Sequence, residues 1–155
     1  MNTLEDALIS TLKQYISDSR VAVIEDDGPL FESMKHFYPV TRSGIDWNKV
    51  PMHVHIPVVG AASHEDRVAV LRGALGQFGS ASRLTSAGMC LVFGDNVTEK
   101  AFRMEYPLFM SLSPLFFEMP QVTYVVSEDM AWCFEVAYDD HVFFGRSPFT
   151  ETRKP

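Results

Sequence analysis

The sequence predicts a single α+β domain over residues 1–155: an antiparallel sheet that ends in a three-stranded meander and packs against two or three helices. Three observations carry this. Leu4, Leu8, Leu12 and Ile16 recur at helical spacing near the start, and Val68, Leu71, Leu75 and Phe78 do so in the middle. From Val122 onward, three runs rich in β-branched and aromatic residues follow one another across turn-like breaks.

In chain order, Thr3 and Asp6 fit a capping box for the first helix. Val21-Ala22-Val23-Ile24 then reads as a short strand closed by the acidic turn Glu25-Asp26-Asp27-Gly28, and Leu30 to Tyr38 stays ambiguous. Between Val50 and Val59, Met52, Val54 and Ile56 alternate with His53 and His55, which predicts a half-buried strand bracketed by Pro51 and Pro57. Ser63 and Asp66 open the second helix, which is expected to end around Gly76 to Gly79. Met89 to Phe93 is a strand stopped by Gly94-Asp95-Asn96. Thr98 starts a short helix through Glu99 to Met104 that Pro107 ends. The meander follows as Val122–Val126, Met130–Tyr138 and His141–Phe144. In its middle strand Trp132, Phe134, Val136 and Tyr138 share a face expected to pack on the helices, with Cys133, Glu135 and Ala137 opposite. The tail from Thr150 to Pro155 is polar and expected to fray.

The composition narrows the function classes. An apolar fraction of 46% is enough to build a core. Thirteen basic against twenty acidic residues leave a net charge of −7, and the basic residues are scattered singly. Direct nucleic-acid binding, which needs clustered Lys and Arg, is therefore not expected, whereas the field favours a basic partner. The start, Met1-Asn2-Thr3-Leu4-Glu5-Asp6, is acidic where a secretory leader is basic. The most apolar stretch, Pro107 to Pro120, is broken by Ser111, Ser113, Pro114 and Glu118, so no membrane partner is expected. Cys90 and Cys133 sit in apolar strands and read as packed thiols in a cytoplasmic chain.

Candidate chemistry is incomplete. His53 and His55, two apart on a strand, point the same way and offer two metal ligands. A third ligand must come from Asp46, His64 or His141, and no signature specifies one, so neither metal nor cofactor is expected. Gly73, Gly76 and Gly79 follow a helix rather than precede one, so they do not form a phosphate loop. No serine sits in a nucleophile elbow. Cys133 lies between large aromatics, which favours a packed thiol over a nucleophile paired with His141. No catalytic set is assigned. The acidic residues Glu25, Asp26, Asp27, Asp129, Glu135, Asp139 and Asp140, with Trp132 as an aromatic anchor, are the candidate partner-binding set.

The run Asp129-Met130-Ala131-Trp132-Cys133-Phe134-Glu135-Val136, followed by Tyr138-Asp139-Asp140 and Phe143-Phe144-Gly145, resembles the C-terminal hairpin of small bacterial immunity proteins. These proteins guard cells against their own contact-dependent-inhibition or other polymorphic toxins, and the likeness covers about the last 25 residues. It implies a cytoplasmic, non-enzymatic protein that binds a cognate toxin domain, possibly a nuclease, and masks its active or substrate-binding surface. Net charge of −7 suits a basic toxin of that kind. Two alternatives stay open: an acidic secretion chaperone that binds an effector, and a metal-dependent enzyme using the His53/His55 strand. Neither the oligomeric state nor the toxin's identity follows from the sequence.

Overall fold

The computed structural model describes residues 3–57, 64–82, 88–137 and 141–149. The elements run α1 (Thr3–Thr11), α2 (Lys13–Ser17), β1 (Val21–Ile24), α3 (Gly28–Phe37), β2 (Val40–Thr41), β3 (Gly44–Ile45), a 3-10 turn (Trp47–Lys49) and β4 (Val54–Pro57). They continue as α4 (His64–Ser82), β5 (Met89–Gly94), β6 (Ala101–Glu105), α5 (Tyr106–Phe117), β7 (Thr123–Ser127), β8 (Trp132–Val136) and β9 (His141–Arg146). Seven strands pair antiparallel in the order β1-β6-β5-β7-β8-β9-β4, and β2 and β3 form a separate hairpin. The fold is α+β with the meander β7-β8-β9 that the sequence predicts.

Strand alternation divides the apolar residues between two faces. On one, Phe102, Val125, Phe134, Val136 and Phe144 meet Leu8 of α1, Leu71 and Leu75 of α4, and Phe109, Phe116 and Phe117 of α5. Each such side chain contributes about 1.5–3 kcal/mol when fully buried, so this layer dominates the stability. On the other face, Leu91, Phe93, Tyr124, Val126 and Cys133 lie beneath Met34 of α3, Ile45 of the hairpin and Trp47. Two buried polar side chains tie loops to this frame. The Glu5 carboxylate, 4% exposed, accepts the N–H groups of Glu99 and Lys100 at 2.6 and 3.0 Å. Gln121 Oε1 accepts those of Val97 and Thr98 at 2.8 and 3.0 Å.

Several sequence expectations are corrected. Glu99 to Met104 is not a helix: Ala101–Glu105 is a strand paired with β1 on one side and β5 on the other. Good helix formers there yield to a ladder that buries Phe102 and Met104 on one face and Ala101 on the other. Pro107 does not end a helix but sits in the first turn of α5, where its missing N–H has no partner to lose. Of the ambiguous 30–38 segment, residues 30–37 belong to a helix, α3, which Tyr38 ends in an extended conformation. Helix α4 does not stop around Gly76 but runs to Ser82. The strand expected over 50–59 shrinks to Val54–Pro57, because residues 47–49 form a 3-10 turn and Met52 stands out of the core, 97% exposed at φ 59°. Val58, Val59, Ser63, Tyr138 and the tail from Thr150 lie outside the described residues.

Candidate functional site

The helical face is closed by its core, whereas the opposite face stays open over β8, β9 and β4. There the registers Phe93↔Tyr124, Tyr124↔Glu135, Glu135↔Phe143 and Phe143↔His55 set five side chains in one row across five strands. Cross-strand neighbours in such a row stand about 5 Å apart. One carboxylate, Glu135, is thus flanked by aromatic rings, and it is only 6% exposed. The next row contains His141, whose carbonyl accepts the Ala137 N–H at 2.7 Å.

Above the row, Thr41, Ser43 and Ile45 of the hairpin and Asp46, Trp47 and Asn48 of the turn form a second wall. The open groove between them has a volume of about 710 Å³ and is floored by Glu135, Phe143, His55 and His141. Its rings form a ladder: Trp47 stacks on Phe143 with centroids 5.7 Å apart, Phe143 on His55 at 4.4 Å, and His55 on His141 at 4.8 Å. His55 Nε2 and His141 Nδ1 are 2.6 Å apart, so one ring nitrogen donates and the other accepts. His53 Nδ1 lies 2.8 Å from the Val50 carbonyl, which holds its ring beside Trp47. The Trp47 indole N–H is buried and has no acceptor among the described residues, a condition that costs about 1–3 kcal/mol.

Gly44 locks the hairpin over the floor. Its φ is +106°, and a Cβ there would stand 2.7 Å from the Tyr124 hydroxyl and 3.8 Å from Glu135 Oε1, so only glycine lets the hairpin descend this far. Burial first, then the Glu135 charge, pushes the Tyr124 phenol up, and it stays a protonated donor beside that carboxylate. Burial, followed by the same charge, holds the Cys133 thiol well above its usual range. A thiol so placed is a packing group and not a nucleophile, and burial likewise pushes Cys90 up to about 12.

The structure disperses the partner-binding residues inferred from sequence. Glu135 is in the groove floor. Trp132 is not a surface anchor: it is 6% exposed and meets Tyr106 edge-on in the helical core. Glu25, Asp26 and Asp27 follow the end of β1, whereas Asp129 follows Ser127, which lies level with Val21 at the other end of that strand. With three strand spacings between β1 and β7, roughly 14 Å across, these acids do not form one patch. Several also have local partners. Glu25 pairs with Lys100, Asp26 Oδ1 accepts the Gly28 N–H at 2.9 Å, and Asp129 Oδ1 accepts the Ser127 hydroxyl at 2.7 Å. That hydroxyl bond chiefly holds the Asp129 carboxyl below its usual range. Asp139 and Asp140 lie outside the described residues.

Of the ligands considered for a metal, Asp46, His53, His55 and His141 all line the groove. Among the described residues, however, no three His, Cys, Asp or Glu side chains are grouped to hold an ion. Trp47, Phe143 and Tyr124 are site residues that sequence reasoning missed, because only the strand register places them beside Glu135. Among the described residues, no helix is long and apolar enough to cross a membrane. No known family and no curated protein matches the chain.

Proposed function

We propose that this chain is a cytoplasmic immunity protein, which binds a basic bacterial toxin domain in the groove over β8, β9 and β4 and masks its active or substrate-binding surface. One observation carries the reading: a nearly buried carboxylate at the base of an open, aromatic-walled groove about 710 Å³ in volume. Such a recess resembles the centre of a protein interface, where a few side chains enter a desolvated pocket and a polar rim excludes water. Net charge of −7 would speed encounter with a cationic toxin, and the hairpin resemblance points the same way. A full interface of about 1,200–2,000 Å² would extend beyond the groove onto the β2–β3 hairpin. Neutralisation needs no chemistry from this chain, only occupation of the toxin's working surface.

A secretion chaperone would hold its client on a broad apolar surface. The large apolar side chains exposed among the described residues, Leu4, Met52 and Val70, lie on three separate segments, which favours the groove. The test is affinity capture of the tagged chain from its native cells, followed by expression of the captured protein alone and together with this chain. Toxicity relieved by co-expression supports immunity. A harmless secreted effector as the stoichiometric partner overturns it in favour of the chaperone.

A further inference from the structure

We infer that the groove receives an arginine side chain of the partner, with the Glu135 carboxylate at its base as acceptor for the guanidinium; this rests on the docking reading above. Glu135 is the only acid in its cross-strand row, and it stands between Tyr124 and Phe143 with the hairpin above it. A cation arriving there meets a carboxylate shielded from water, where a charge-assisted hydrogen bond is stronger than at the surface. A second acid, Asp46, lines the wall, and its pairing with the exposed Lys49 is loose at 3.9 Å.

The chemistry of the walls selects between the two basic side chains. Trp47, Phe143 and His55 stand nearly parallel, with interplanar angles of 7° and 5°. A guanidinium is planar, weakly hydrated and suited to lie against rings while its N–H groups reach a carboxylate in pairs. An ammonium is compact and strongly hydrated, so it loses more on leaving water.

The chain's two tryptophans make this testable without the toxin. Trp47 walls the groove, and Trp132 lies in the opposite core as an internal control. The ¹⁵N-labelled full chain is titrated with N-acetyl-arginine N-methylamide and with its lysine counterpart while both indole resonances are followed. The arginine probe should shift Trp47 saturably and leave Trp132 still, with the lysine probe at least about tenfold weaker. Folded Glu135→Gln should lose the response. Should that variant not fold, His55→Ala, which removes an exposed ring, should weaken arginine binding and the arginine-to-lysine ratio decides. Equal response to both probes, or an undiminished response in folded Glu135→Gln, overturns the assignment. A captured toxin still neutralised after such a failure leaves the docking reading standing without the arginine. Saturable arginine binding with no toxic partner removes the toxin and keeps the site.

Discussion

Replacing Asp27 by Asn should stabilise the protein at neutral pH. Asp27 is half-buried, its Oδ2 has no hydrogen-bond partner among the described residues, and it makes no capping bond to α3. Burial first, then the charges of Asp26, Glu5 and Glu99, raises its pKa from 3.8 to about 6. Full enclosure would turn that difference into about 3 kcal/mol. With part of the side chain in water, screening reduces it to about 1 kcal/mol. The sign follows from the raised value: the folded state prefers the protonated acid, so its stabilising contribution is complete below pH 3.8 and is lost as pH rises through about 6. Urea denaturation of both proteins from pH 3.5 to 7.5 reads the difference, since carboxylates common to both cancel. Asp27→Asn should be about 1 kcal/mol more stable at pH 7.5, with the gap closing toward pH 3.5. A variant less stable at pH 7.5, or a gap independent of pH, refutes the reasoning.

Gly44→Ala should lower stability by about 2–3 kcal/mol in urea melts, because it combines a left-handed backbone with a Cβ set against the Tyr124 hydroxyl. By contrast, Gly73→Ala and Gly76→Ala in α4 should each raise stability by about 0.5–1 kcal/mol, since a Cβ at either position meets nothing within 4 Å. Gln121→Leu removes the side-chain acceptor of three loop N–H groups and should cost about 2–4 kcal/mol, seen also as faster amide exchange at Val97 and Thr98. Arg103→Ala removes only a surface ion pair with Glu128 and should change stability by less than about 1 kcal/mol.

Long apolar periodicities were legible in the sequence. The helical spacing of Leu8, Leu12 and Ile16 gave helix at the start, although Leu4 is exposed and the expected single helix divides at Leu12 into α1 and α2, and the alternation through Trp132, Phe134 and Val136 gave a strand, because burial on one face imposes the spacing. Strand β6 was not legible, since Glu99-Lys100-Ala101 carries helical propensity and the competing ladder comes from β1 and β5, distant in sequence. Nor do glycines mark the end of α4, because Gly73 and Gly76 are tolerated inside a helix whose Leu71 and Leu75 are fully buried. For the candidate site, Glu135 was named for its charge, and Asp46, His53, His55 and His141 were singled out as metal candidates. Their meeting in one groove depends on the register of three strands and on a hairpin that passes over them. The described acidic residues named from turns do not gather in one patch, because turns at both ends of a sheet are polar for the same local reason.

The central claim is that the groove, and not the acidic turns, docks the partner, and growth rescue tests it most directly. Cells expressing the captured toxin are supplied with wild-type chain, Glu135→Gln, His55→Ala or the turn variant Asp26→Lys, each checked for folding by thermal melt. Rescue should fail or weaken with the two groove variants and persist with Asp26→Lys. Full rescue by folded Glu135→Gln and His55→Ala, with rescue lost in Asp26→Lys, would contradict the account and move the interface to the far end of β1.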